Sequence, residues 1–242
     1  MKSLIVIPAR WNSSRFIGKP LAMINGKALV ERVWEKSLKS KKGNYSIVAT
    51  DDLRIKNFCE KRNIKVIMTS KKCRTGTDRV YEVSRKIHAD IYINLQGDEP
   101  LMNPKNIDII INSISKLKSK NYLACTGYCL IKELKNKNLS SGFLIKSLNN
   151  RLMYLSRSEI PSNYKKKEKR LKHVGIIGYT KKGLQKFSNY KPTPLEINES
   201  NEILRLVEND DKVYCCLLKN QPKLAVDYPI DIKKIENYLK KK

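Results

Sequence analysis

Leu4-Ile5-Val6-Ile7-Pro8-Ala9-Arg10-Trp11-Asn12-Ser13-Ser14-Arg15-Phe16-Ile17-Gly18-Lys19-Pro20-Leu21 is the stretch from which the architecture is read. Its first four residues form a continuous apolar run, the pattern of a strand buried on both faces of a parallel sheet. A polar loop follows directly, carrying Arg10, Arg15 and Lys19 with two serine hydroxyls and a glycine. In an open α/β sheet, ligands bind where loops leave the carboxyl ends of strands. Main-chain N–H groups together with three cations suit a polyphosphate. The loop is neither a Walker A sequence nor a G-x-G-x-x-G turn, which argues against an ATPase or a dinucleotide enzyme.

Outward from this loop, strand and helix alternate. Lys27 to Leu38 has Leu29, Val30, Val33, Trp34 and Leu38 at helical spacing. Tyr45 to Ala49 reads as a strand, Asp52 to Lys61 as a helix, and Lys65 to Met68 as a third strand. Asp78 to Ile87 is helical, Ile91 to Leu95 is a fourth strand and Pro104 to Leu117 a long helix. This order predicts an α/β fold whose mainly parallel sheet has helices on both faces. After residue 120 the rhythm changes: Leu123 to Ile131, Gly142 to Leu148 and Met153 to Ser156 read as strands without helices between them. Residues 162 to 172 read as a basic loop and Val174 to Tyr179 as another strand. Pro194 to Val207 reads as one helix, Lys212 to Leu218 as a strand and Ile230 to Leu239 as a closing helix. The expectation is a single domain over 1–242 with a small antiparallel insertion at about 125–190, a dimerisation element or lid.

The 242 residues are 40% hydrophobic, enough for a real core, and no apolar run is long enough to span a bilayer. The N-terminal apolar run is too short for a signal peptide, so a cytoplasmic protein without membrane association is expected. The net charge of +27 is the unusual number, and it invites a nucleic-acid partner, a membrane surface or an anionic small molecule. The excess comes from 38 Lys and 12 Arg spread along the chain, with short runs at Lys41-Lys42, Lys165 to Lys167 and Lys240 to Lys242. Nucleic-acid proteins concentrate charge on one face and interleave aromatics, so no stable nucleic-acid complex is expected. Six cysteines, Cys59, Cys73, Cys125, Cys129, Cys215 and Cys216, lack zinc-like spacing and read as reduced thiols. Cys215 and Cys216 are expected on opposite faces of a strand. His88 and His173 are the sole histidines, which excludes His-rich metal sites.

Three further segments carry chemistry. Arg74-Thr75-Gly76-Thr77-Asp78-Arg79 precedes a helix, with Thr77 read as its N-cap and Asp78 in the first turn. Its glycine turn admits a flat base against the backbone, where Arg79 can read a base carbonyl. Asn94-Leu95-Gln96-Gly97-Asp98-Glu99-Pro100 ends the fourth strand with an acidic pair, and Val226-Asp227-Tyr228-Pro229 ends an apolar run in a carboxylate. Mg²⁺ takes one or two carboxylates plus phosphates and water, so Asp98 and Asp227 together form a candidate metal site.

Seven segments in order resemble the 3-deoxy-manno-octulosonate (Kdo) cytidylyltransferases. The opening loop is similar to that family's P-A-R-x-x-S-[ST]-R-x-x-G-K-P-L signature, and the Arg74 and Asn94 segments to its [ST]-G-T-[DE]-R and N-x-Q-G-D-E-P. Tyr154 to Pro161, His173 to Tyr179, Pro194 to Arg205 and Val226-Asp227 resemble four more of its segments. The resemblance implies a Rossmann-like nucleotide-diphospho-sugar transferase fold and a homodimer. It also implies a Mg²⁺-dependent transfer of CMP from CTP to the anomeric 2-hydroxyl of Kdo, with pyrophosphate released. Such a product supplies lipopolysaccharide or capsule synthesis. By the same resemblance Arg10, Arg15 and Lys19 hold the triphosphate, and Arg79 with backbone at Ala9 and Gly76 recognises cytosine. Asp98 and Asp227 bind Mg²⁺ and act with Lys19 in catalysis. Gln96, Arg157, His173 and Glu202 contact the sugar.

The chain departs from the family pattern at Ile17, Ile177, Ile203 and Tyr228. Ile203 stands where the family usually has glutamine. Loss of an amide that bonds a hydroxyl changes discrimination. The alternative expectation is therefore the same reaction on another ulosonic acid, such as 8-amino-substituted Kdo. The third, a basic nucleic-acid-binding protein, is opposed by carboxylates in the motifs.

Overall fold

A computed structural model of the chain describes residues 1–131, 141–162, 164–165 and 169–241. Lys166, Lys167 and Lys242 of the lysine runs lie outside the described residues. The first strand, β1 (Ser3–Ala9), alternates its side chains between two cores. Leu4 and Val6 enter one, Ile5 and Ile7 the other, as the two-residue period of a strand requires. A short hairpin, β2 (Met23–Ile24) and β3 (Lys27–Ala28), precedes α1 (Leu29–Leu38). Asn25 and Gly26, both with positive φ, make its two-residue turn, a signal present in the sequence that the reading of Lys27 to Leu38 as helix passed over.

The next elements follow the expected order: β4 (Tyr45–Thr50), α2 (Leu53–Lys61), β5 (Val66–Met68), α3 (Gly76–Lys86), β6 (Ile91–Leu95) and α4 (Pro104–Leu117). The chain then enters β7 (Tyr122–Ile131), β8 (Phe143–Lys146), β9 (Leu152–Ser156) and β10 (Arg170–Thr180). Arg170 to Lys172 therefore belong to a strand and not to the expected basic loop. Helix α5 (Lys181–Asn189) was not anticipated; Thr180 caps it by accepting the Gly183 N–H at 2.9 Å. The expected single helix over Pro194 to Val207 is two, α6 (Pro194–Glu199) and α7 (Leu204–Val207), because Ser200 turns left-handed at φ 46. Strand β11 (Lys212–Leu217) and α8 (Pro229–Lys240) complete the chain.

Among the described residues, seven strands run in the order β11-β7-β10-β6-β1-β4-β5, and β8 and β9 extend the same sheet from β10. Pairs β6-β1, β1-β4, β4-β5 and β7-β11 are parallel, and β10 runs antiparallel to β6, β7 and β8. Within the expected insertion at about 125–190, β7 and β10 belong to the main path of the sheet and β8-β9 is a hairpin off it, while residues 132–140, 163 and 166–168 lie outside the described residues. One core packs α1, α2, α4 and α8 on a face; the other packs α3, α5 and α7 on the opposite face. Cys216 enters the first and Cys215 the second, as the strand period predicts. All six thiols are free, and burial pushes Cys59 and Cys215 up to about 12.

From β1 the chain steps outward through β4 and β5 with α1 and α2 on one face, and α3 then carries it back over the opposite face to β6 on the other side of β1, so the strand order reverses between β1 and β6. That switch point opens a crevice at the carboxyl end of the sheet.

Candidate active site

The crevice is a cleft of about 850 Å³, and it brings every predicted site residue to one wall or another: Ala9, Arg10, Arg15, Lys19, Gly76, Arg79, Gln96, Asp98, Arg157, His173, Glu202 and Asp227 all line it. They arrive from seven separated parts of the chain, and the local structure explains how.

The loop after β1 closes on the Trp11 carbonyl, which accepts the N–H groups of Ser13 at 3.1 Å and Gly18 at 2.9 Å. Gly18 has φ +71, and a Cβ there would come within 3.1 Å of the Trp11 ring. Trp11 is covered on its other side by Arg54, 3.7 Å from a ring centroid. The fold of this loop turns Arg15 and Lys19 toward the cleft. Arg15 pairs with Asp227 at 3.0 Å and lies over the Tyr228 ring at 5.6 Å. Lys19 Nζ donates to Asp98 at 2.9 Å and to the Val226 carbonyl at 3.0 Å. Arg10 is exposed at the mouth.

Asp98 and Asp227 meet because the Val226 N–H donates to the Asp98 carbonyl at 3.0 Å. Asp227 sits in the irregular segment before α8, whose Asp231 accepts the N–H groups of Asp227 at 3.0 Å and Tyr228 at 2.9 Å. The β6 loop reaches the β1 end because Gly97 leaves room: a Cβ there would lie 2.7 Å from the Pro8 carbonyl oxygen. Glu99, next to Asp98, is buried and accepts the Gly175 N–H at 3.0 Å. Burial, followed by the Asp98 charge, pushes its carboxyl up to about 7.

The turn before α3 is capped by Thr75, not by Thr77 as predicted. Thr75 accepts the Asp78 N–H at 3.1 Å, and Asp78 reaches back to the Thr75 N–H at 2.8 Å. Thr77 is buried instead, its hydroxyl 2.9 Å from that of Tyr179. Arg79 is buried and held by Thr69 and by Asp51 at 3.2 Å.

On the far wall, Arg157 donates from Nε to the Glu199 carbonyl and from a terminal nitrogen to the Ser200 carbonyl, both at 2.9 Å. These carbonyls end α6, where the helix dipole favours a cation. Burial, then the neighbouring Arg15 charge, lowers the Arg157 pKa. Glu199, which sequence reading overlooked, fixes this wall by accepting from the Tyr154 hydroxyl at 2.8 Å and the Ser156 hydroxyl at 2.9 Å. No spacing links residues 154–157 to 199; only the fold does. His173 pairs through Nε2 with the Thr126 hydroxyl at 2.8 Å, and burial, then Arg157, holds its pKa down to about 3. It is neutral at physiological pH, a hydrogen-bonding group for a hydroxyl. His88 is exposed outside the cleft, 3.2 Å from Lys181. The Glu202 carboxylate accepts the Thr77 N–H at 3.0 Å and the Asn94 amide at 2.8 Å. Arg74, Lys172, Lys223 and Lys234 also line the cleft and were assigned no role from sequence.

Ile203 is fully buried in the core with Val80, Tyr179 and Leu204 and does not line the cleft. Its apolar side chain answers to packing, which removes the reason for expecting a different sugar.

The cytidylyltransferase family model matches residues 4–217. A 3-deoxy-manno-octulosonate cytidylyltransferase of Chlamydia trachomatis serovar L2 is 36% identical over 242 residues, covering 98% of this chain and 94% of its own length. The enzyme of that name from Zea mays is 35% identical over 240 residues, 96% of this chain and 78% of its own. A solved structure of CMP:2-keto-3-deoxy-manno-octonic acid synthetase complexed with CTP has TM-score 0.90 and 34% identity, covering 100% of this chain and 99% of that one. The 4-diphosphocytidyl-2C-methyl-D-erythritol synthase of Anaerococcus prevotii, TM-score 0.63 at 15% identity over 99% of each chain, shares the fold.

Proposed function

This chain belongs to the cytidylyltransferase family, and on that premise we propose that it transfers CMP from CTP to the anomeric 2-hydroxyl of Kdo, releasing pyrophosphate. The carrying observation is that a cationic loop, a base-sized turn and a wall bearing Arg157 and His173 face one another across a single cleft. A relative of the same fold is named for this synthesis and was solved with CTP.

The transfer needs an in-line approach of hydroxyl to α-phosphorus and neutralisation of the phosphates more than covalent help. Arg10, Arg15 and Lys19 supply the neutralising charge. Arg15 and Lys19 must leave Asp227 and Asp98 to do so. The Arg15 side chain is 41% exposed, and exposed pairs are worth about 0–1 kcal/mol, so an incoming triphosphate displaces Asp227 from it at little cost; the more buried Lys19 exchanges one anionic partner for another. Gly76 and the Ala9 backbone would face cytosine, with Arg79 behind them. Arg157 would pair with the sugar carboxylate, while Gln96 and the neutral His173 accept or donate to its hydroxyls.

Mg²⁺ fits the residues present. Among the described residues no group of three or more His, Cys, Asp or Glu side chains is arranged to hold a metal. Asp98 and Asp227 offer instead the two-carboxylate arrangement that Mg²⁺ completes with phosphate and water. When bound there, the ion would supply Lewis-acid polarisation of phosphate and hydroxyl oxygens.

A homodimer is part of this reading: Leu130, Leu148 and Met153 are exposed on and beside the β8-β9 hairpin, an apolar surface for a second copy. No helix among the described residues is long and apolar enough to cross a membrane. The reading places the enzyme in the cytoplasm, feeding lipopolysaccharide or capsule synthesis.

The test is pyrophosphate release with CTP, Mg²⁺ and a panel of sugar acids including Kdo and 8-amino-substituted Kdo. Kdo is expected to give the highest kcat/KM. A preference for the amino sugar, or release with none of the panel, would overturn the assignment.

A further inference from the structure

Glu202 lines the cleft on the segment between α6 and α7, yet both of its carboxylate oxygens are already engaged by protein donors. One accepts the backbone N–H of Thr77, in the first turn of α3. The other accepts the side-chain amide of Asn94, at the end of β6. Glu202 therefore pins the Thr75-Gly76-Thr77 turn to the end of β6 from a segment that belongs to the opposite wall.

Asn94 shows how far the site is arranged around that charge. It is fully buried and donates to Glu202 at 2.8 Å and to the Thr77 hydroxyl at 3.2 Å, while its own carbonyl oxygen finds no partner among the described residues. A buried polar atom left unpaired is costly, so an amide tolerates it only where its donors are needed. Reversing the amide would set its oxygen against the carboxylate. The Gly76 backbone packs directly on this amide: a Cβ at Gly76 would lie 3.2 Å from Asn94 Nδ2. Any shift of Asn94 is thus delivered to the turn itself.

We propose that Glu202 is a positioning residue for the nucleotide: it sets the Thr75-Gly76-Thr77 turn, through Thr77 and Asn94, in the geometry that receives the base. This departs from the sugar contact that the family resemblance implies for Glu202, and it rests on the reading that this turn faces cytosine. The requirement is for a carboxylate. Glutamine still accepts from Thr77, but its amide nitrogen then opposes that of Asn94, and turning the Asn94 amide to accept it withdraws the donor that Asn94 gives to the Thr77 hydroxyl.

The experiment measures CTP binding by calorimetry with Mg²⁺ present, and separately the KM of each substrate in pyrophosphate release. Glu202→Gln is expected to weaken CTP binding about tenfold, the loss of one charge-assisted hydrogen bond, and to leave the sugar KM within about twofold. Asn94→Ala, a side chain outside the cleft, should weaken CTP in the same direction. The double variant should be no worse than the weaker-binding single, because the two act as one unit. A sugar KM that rises while CTP affinity holds, or full additivity of the two changes, would overturn the proposal. Should either variant lose its cooperative melting transition, Tyr179→Phe takes its place. It removes only the hydroxyl on Thr77, and unchanged CTP affinity there would count against the network. A parent chain that binds CTP but activates no ulosonic acid would refute the sugar assignment while leaving the Glu202 comparison intact; one that binds no CTP would end both.

Discussion

Arg15 and Lys19 on one side of the cleft are held by carboxylates, whereas Arg157 on the other is held by peptide carbonyls at the end of α6. The difference separates two kinds of preorganisation. A carboxylate partner is a charge that an arriving phosphate can replace, so the nucleotide side exchanges its ion pairs on binding. A carbonyl partner carries no net charge and stays in place, so the two carbonyls keep the Arg157 fork oriented as a carboxylate arrives with the ligand. The same contrast shows in the acids. Asp98 and Asp227 are partly exposed and paired with the side chains of Lys19 and Arg15, while Glu202 is buried and bonded to the Thr77 N–H and the Asn94 amide.

The contrast is broken most severely by removing the exchangeable acids. Asp98→Asn and Asp227→Asn are each expected to lower kcat about a thousandfold with the melting temperature nearly unchanged. Retention of near-full turnover in either would show that the pair is not the metal site. Next in size is Arg157→Lys. An ammonium cannot reproduce the fork that spans two carbonyls, so the sugar KM should rise about a hundredfold while CTP binding holds. A matching loss of CTP affinity would erase the distinction between the two walls.

The smallest effect concerns His173, whose pKa burial lowers from 6.5 to about 3. Below pH 6.5 the unfolded chain binds a proton there that the folded chain refuses. Its contribution to stability is therefore full above 6.5 and declines as pH falls toward 3. His173→Gln should flatten that part of the melting-temperature profile relative to the parent chain. An unchanged acid slope would mean that the ring is not held neutral.

The parallel half of the molecule was readable because each element carries one period. The Leu4 to Ile7 run and the helix over Pro104 to Leu117 need no distant information. The sugar-side wall was less readable for physical reasons. A left-handed Ser200 breaks the Pro194 to Val207 pattern without a glycine to announce it. Thr75 and Thr77 are both good caps by chemistry, and only the partner of Asp78 decides between them. Glu199 and Glu202 are two glutamates on one short segment, and nothing local reveals that one serves Arg157 and the other Thr77. Ile203 reads as a specificity change until its burial is seen.

Strand β10 slips register against β7 between Val174 and Ile177, so Gly175 and Ile176 have no counterparts across the ladder. Within that stretch the Gly175 N–H is donated to Glu99 and its carbonyl accepts the Gln96 N–H, on the side of β10 that faces β6. In terms of tolerated insertions and deletions, this makes the length of β10 part of the site. Removing a single residue between His173 and Ile176 would turn His173 to the other face of the sheet and undock the loop that carries Asp98. Natural length variation in relatives of this chain should therefore collect in the hairpin between β8 and β9 and stop short of this strand.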